Sequence, residues 1–136
     1  MAKKKNIIWL ASYPKSGNTW FRVFLSNLFN DASEPASIND LHHTPIASAR
    51  QPFDEITGLP SSDLTFEEVE RLRPELYRFQ ARETDEIQFR KVHDAYTYLD
   101  DGAPLFPPDV SKAVVYFIRN PLDVLISFAH HRDRKS

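Results

Sequence analysis

Residues 6–29 read NIIWLASYPKSGNTWFRVFLSNLF, and the order of strand, tight loop and helix within them decides the fold class. Asn6 to Ser12 is a short, nearly continuous apolar run, the signature of a strand buried on both faces of a parallel sheet. Tyr13 to Gly17 follows with a proline and a glycine, which interrupt regular structure. From Asn18 to Phe29 the apolar residues recur at 21, 24, 25 and 28, the spacing of a helix with one buried face.

A second unit of the same kind closes the chain. Ala113 to Ile118 (AVVYFI) is fully apolar and rich in β-branched residues, which predicts a central strand ending at Arg119. Asn120 suits a helix N-cap, Pro121 the first helical position and Asp123 the positive end of the dipole, so a helix is expected over Pro121 to His131. Apolar residues at 122, 125, 126 and 129 are expected to form its buried face.

Between these units the signals are weaker. Asp31 to Pro60 reads as loops with one short helix near Ile38 to His43. Thr65 and Glu68 have capping-box spacing at the head of a helix over Thr65 to Leu72, with Pro74 marking its end. Glu86 to His93 reads as another strand, and Asp101 to Pro108 as a turn-rich connection. The expectation is a single α/β domain over residues 1–136: a P-loop-like, three-layer fold with a parallel sheet flanked by helices, in which residues 31–85 form a variable helical and loop insertion.

Composition narrows the classes. With 41% hydrophobic and 26% charged residues the chain is ordinarily globular, and with no cysteine it has no disulfide, no thiolate chemistry and no Cys-ligated zinc. The apolar run after the basic Met1 to Lys5 is too short for a signal peptide or membrane span, so a cytoplasmic protein without a membrane partner is expected. The net charge of −2 conceals an asymmetry: both ends are cation-rich and the middle is acidic, which directs an anionic ligand to the ends. Lys3 to Lys5 read as a solvated flexible terminus and Glu67, Glu68 and Glu70 as a solvated helix face, whereas Lys15 and Arg119 each stand just beyond an apolar run. No nucleic-acid motif accompanies the charge. The pairs His42-His43 and His130-His131 read as surface or cap residues, because adjacent histidines on a helix diverge and no carboxylate has metal-ligand spacing nearby.

The loop Tyr13-Pro-Lys-Ser-Gly-Asn-Thr-Trp20 carries the first chemistry. A loop between a strand end and a helix start aims backbone N–H groups and the positive end of a helix dipole at one point. Gly17 lets the backbone approach a phosphate, Ser16, Asn18 and Thr19 add donors, and Lys15 adds a full charge. Against a Walker A loop, Ser12 and Gly17 take the glycine positions and Thr19 the hydroxyl position, but Asn18 stands where the lysine belongs. An ordinary ATPase reading fails there. At the second junction Arg119 can grip a phosphate with its planar fork. Ser127 is the one hydroxyl in the apolar stretch Val124 to Ala129; by itself it could equally bond its own helix backbone. His93, in Lys91-Val92-His93, stands at a strand end, where parallel sheets place their sites, and its chemistry suits a general base.

Together these segments resemble the PAPS-dependent sulfotransferases, where PAPS is 3′-phosphoadenosine 5′-phosphosulfate. Tyr13 to Trp20 is similar to that family's 5′-phosphosulfate loop, Y-P-K-S-G-[ST]-T-[WF], departing only at Asn18. Arg119 to Ser127 resembles its 3′-phosphate motif, R-x-P-x-D-x-x-x-S, and Lys91 to His93 its catalytic histidine segment, although Asp94-Ala95 replaces the usual apolar residue and proline. The resemblance implies that Ser16, Gly17, Asn18 and Thr19 hold the 5′-phosphate, that Trp20 stacks on adenine, and that Arg119 and Ser127 hold the 3′-phosphate. It implies that Lys15 stabilises the leaving phosphate, that His93 deprotonates an acceptor, and that Lys91 supports the transferred group. It implies no metal, PAP (the desulfated nucleotide) as product, and a small-molecule or carbohydrate acceptor. Members of the family are typically longer, so an incomplete fold with exposed apolar surface and possible homo-oligomers is expected. Three rival readings stay open: an active sulfotransferase, a noncatalytic PAP- or PAPS-binding remnant, and a P-loop kinase or ATPase.

Overall fold

The computed structural model describes residues 4–30 and 33–134; Lys3, read above as part of a solvated terminus, lies outside them. Three strands, β1 (Ile7–Ser12), β2 (Gln88–Val92) and β3 (Ser111–Phe117), form one parallel sheet in the order β2-β1-β3. Helix α1 (Asn18–Phe29) follows β1, and α4 (Pro121–Asp133) follows β3. Between α1 and β2 run α2 (Arg50–Thr57) and α3 (Phe66–Arg82). No described helix is long and apolar enough to cross a membrane.

Register assigns the faces. Trp9 lies beside Arg90 and Val114, while Ile8 pairs with Phe89 and Ser12 with Phe117. Residues that are register partners share a face, and alternate residues face oppositely. Trp9 meets Tyr77 of α3 edge-on at 4.9 Å, whereas Phe21 and Phe29 of α1 meet Phe117 and Phe89. The sheet is therefore sandwiched between α1 and α3. The core centres on Ile7, Trp9, Tyr77, Val92, Leu105 and Phe106, on the α3 side. Its two polar aromatic groups are satisfied: Trp9 Nε1 donates to Ser111 Oγ at 2.8 Å, and the Tyr77 hydroxyl accepts from Arg73 Nε at 2.8 Å.

Several local expectations are corrected. β1, not β3, is the central strand; β3 lies at the edge, and Val114 and Tyr116 are more than half exposed. The opposite edge is covered, because Lys91 N–H donates to the Pro45 carbonyl and the Lys91 carbonyl accepts from Ala47 N–H, both at 2.9 Å. Ile38 to His43 forms turns rather than a helix, and the helix of that region is α2. The Thr65–Glu68 capping box is present as expected. Pro74, however, sits inside α3 and does not end it. An internal proline costs about 3 kcal/mol. Here burial of Leu76, Tyr77 and Ala81 on the following turns offsets that cost.

Both junction helices present faces other than those expected. On α1 the buried positions are Asn18, Arg22, Leu25 and Ser26, so Phe24 and Leu28 point outward. On α4 the inward positions are Val124, Ser127 and Phe128, while Leu122, Leu125 and Ile126 are exposed. Polar residues with specific partners, not the apolar stripe, decide the rotation of α1. The apolar stripe of α4 has nothing described against it.

Candidate functional site

The two strand-to-helix junctions lie at the same end of the sheet. Arg119 Nη1 donates to the backbone carbonyl of Lys15 at 3.0 Å, and Tyr13 meets Phe128 edge-on at 6.2 Å. The loop after β1 is thus held against the residues that end β3 and against α4. Lys15 itself has φ 66°, the left-handed region that a side chain with a Cβ rarely occupies. Such strain persists where surrounding contacts over-determine it, commonly at ligand sites.

Gly17 is the N-cap of α1 with φ 97°, and no side chain caps the helix. The first N–H groups of α1 therefore lack the usual internal acceptor, which fits an anion at that point. Ser16 is buried, and Thr19 and Gly17 are exposed at the loop surface. Asn18 is turned away from the surface: its Nδ2 donates to Leu10 carbonyl at 2.9 Å and to Ser12 Oγ at 3.1 Å. Its side chain ties the loop back to β1, leaving its backbone N–H at the helix start. Trp20 is 73% exposed and stacks on Phe24.

Cations gather below the loop. Lys91, half-buried on β2, has its pKa pushed down by burial and then by the positive charges of Arg22 and Lys15. Arg22 is buried on α1; its Nε donates to the carbonyl and hydroxyl of Thr44 at 3.0 and 3.1 Å, and burial pulls its pKa down. Among the described residues none of these three cations has a carboxylate partner. Three like charges without a counter-ion form a site that favours an anion. In the sequence Arg22 is one of the N-terminal cations, and its signal is its place four residues after Asn18, within an otherwise apolar run.

His93 lies beyond the end of β2, and its Nδ1 is 2.7 Å from the Ser12 carbonyl. A carbonyl only accepts, so Nδ1 is the donor to it, and in the neutral ring Nε2 is then the nitrogen that carries the free lone pair. His93 borders a cleft of 620 Å³ whose walls are Trp9, Tyr13, Tyr96, Phe106, Val114 and Tyr116, together with Ser12, Asp94 and other short side chains. Ser127 is half-buried on the inward face of α4. The structure thus brings Lys15, Arg119, Lys91 and His93 to one end of the sheet. Of the histidine pairs, His42 lies against Asp40 and His43 beside Phe29.

A family model described as sulfotransferase domain matches residues 5–136. Among curated proteins, one named luciferin sulfotransferase, from Photinus pyralis, is 27% identical over 127 residues, covering 91% of this chain and 32% of that protein. The chain therefore spans about a third of the length of that curated relative. No solved structure matches it.

Proposed function

The chain belongs to the sulfotransferase domain family, and from that premise we propose that it binds PAPS across its two junctions and transfers the sulfuryl group to an acceptor hydroxyl or amine in the cytoplasm. The observation that carries this reading is the Arg119–Lys15 contact, which makes the two phosphate-binding candidates neighbours in one site.

The donor supplies a sulfuryl group on a phosphate leaving group. The uncapped amides of α1, with Ser16 and Thr19, hold the 5′-phosphate, and Asn18 contributes through its backbone while its side chain braces the loop. Lys15 sets its charge against the charge that collects on the departing phosphate, and Lys91 sets its own against the transferred group. Arg119 and Ser127 take the 3′-phosphate, and Trp20 offers an exposed ring to adenine. His93 Nε2 accepts the acceptor proton as the new bond to sulfur forms and the bond to the phosphate oxygen breaks, leaving PAP. The charge neutralisation that metal ions supply in kinases falls to fixed cations and amides in this reading.

The acceptor enters the cleft beside His93. Its volume falls within the range of small-molecule sites, and its aromatic and aliphatic walls suit an apolar acceptor better than a carbohydrate.

Calorimetry with PAP and with Mg-ATP, followed by a radiolabelled sulfate-transfer assay on wild type and His93→Ala, tests the reading. PAP is expected to bind and ATP to bind weakly, with transfer lost in His93→Ala. Tight ATP binding would return the site to the P-loop kinases. PAP binding without any transfer would mark a nucleotide-binding module instead.

A further inference from the structure

We propose that Asp94, clamped by Arg73 of α3, is a positioning residue for His93; the proposal rests on the reading of His93 as the base. β2 ends at the buried Val92, so the chain leaves the sheet at His93 and its course is set by whatever holds the next residue. Asp94 is that residue. Arg73 Nη1 and Nη2 donate to its two carboxylate oxygens at 2.7 and 2.9 Å, a bidentate pair that fixes both distance and plane.

Arg73 is itself immobilised. It is 4% exposed, its Nε donates to the Tyr77 hydroxyl at 2.8 Å, and its guanidinium lies 5.7 Å from the Tyr77 ring centre and 6.0 Å from that of Phe106. Tyr77 is fully buried and meets Trp9 of the central strand. The carboxylate is therefore tied to the core through one side chain. Asp94 also borders two cavities, the cleft beside His93 and a second of 420 Å³ between α2 and α3.

A buried ion pair is weak evidence for stability, since apolar replacements of similar volume often do as well. What a bidentate pair supplies is orientation, and orientation is what the neighbouring imidazole requires. The Ser12 carbonyl holds the ring of His93 at one end. Arg73 holds the backbone immediately after it. With both anchors Nε2 keeps one direction; with the second released, the ring retains its hydrogen bond only by following a looser chain.

The experiment uses Asp94→Asn, which keeps shape and removes charge, and Arg73→Lys, which keeps charge and removes the fork. Long-range ¹H–¹⁵N spectra of the whole protein read the His93 tautomer without any turnover. Wild type is expected to show the Nδ1–H form alone, and both variants a mixture of tautomers. In the transfer assay kcat is expected to fall by about 10- to 100-fold, the scale of a misplaced catalytic group, with PAP affinity within about twofold of wild type. A tautomer change in a protein without transfer activity would uphold the positioning role and sink the sulfotransfer reading. An unchanged His93 spectrum with unchanged kcat in both variants overturns the proposal. So does a loss of PAP affinity parallel to the loss of kcat, which marks general unfolding.

Discussion

Arg119 reaches across from the end of β3 to the carbonyl of Lys15, the residue of the first loop whose backbone is strained. One bond thus joins the residue proposed to read the 3′-phosphate to the residue proposed to meet the departing 5′-phosphate. Arg119→Ala removes a charged donor from each role. PAP affinity is expected to fall about 10- to 100-fold by calorimetry, as for the loss of one hydrogen bond to a charged group. Arg119→Lys restores charge without the fork and is expected to recover only part of that loss. A nucleotide lacking the 3′-phosphate is expected to lose less affinity than PAP in both variants, since only the bond to the Lys15 loop is then at stake. If wild type binds that nucleotide as tightly as PAP, Arg119 and Ser127 do not form the 3′ site.

The left-handed backbone at Lys15 makes a prediction about stability independent of any ligand. Lys15→Ala removes the charge and keeps the strain, whereas Lys15→Gly removes both. The strain is worth about 1 kcal/mol for a residue with a Cβ. The glycine variant is therefore expected to melt above the alanine variant, although glycine ordinarily weakens a fold. Both are expected to lose transfer activity. Equal melting temperatures would show that the loop relaxes once the lysine side chain is gone.

The parts of this site legible in the sequence are those dictated locally. Proline, glycine and asparagine at the junctions announce where β1 and β3 stop and where α1 and α4 start, and Thr65 with Glu68 announces α3. The rotation of α1 was not legible, because it depends on Asn18 reaching back to Leu10 and Arg22 reaching Thr44, contacts that no helical period encodes. Pro74 misled for a related reason: its local penalty is outweighed by core contacts of later turns. The apolar run Ala113 to Ile118 suggests a central strand, yet the structure leaves β3 at an edge. The bracing of His93 was hidden in Asp94, which in sequence is only a departure from a motif; its partner Arg73 lies on α3.

Lys91 carries a pH signature. Burial first, and then Arg22 and Lys15, hold its pKa below the ordinary lysine value. The folded state therefore binds fewer protons than the unfolded state between the depressed pKa and the normal one, so stability rises with pH through that window. Below it the charge is present in both states and its destabilising effect is complete. Lys91→Met is expected to raise Tm at neutral pH and to flatten the rise of Tm at alkaline pH, while slowing transfer. Bound PAP supplies the missing negative charge and is expected to shrink the difference in Tm between variant and wild type. A variant less stable than wild type at neutral pH would mean that Lys91 has a stabilising partner.

The last prediction concerns the open side of the sheet. Val114, Tyr116 and Ile118 of the edge strand and its exit, and Leu122, Leu125 and Ile126 of α4, are each at least 58% exposed. Between Ala113 and Ile118 there is no charge or proline, the devices by which free edges usually resist pairing. Large apolar side chains left exposed on an unpaired edge strand and on the helix after it favour association. Wild-type chain is expected to self-associate in light scattering as concentration rises, and Leu125→Glu combined with Ile126→Glu to return it to monomer with Tm unchanged at dilutions where wild type is itself monomeric, since neither side chain is packed within one chain. The inward residues Val124, Ser127 and Phe128 are untouched by these changes, so PAP affinity is expected to persist in the monomer. A wild-type chain that stays monomeric at high concentration would rule out self-association, and loss of PAP binding on dissociation would move part of the nucleotide site into the interface between copies.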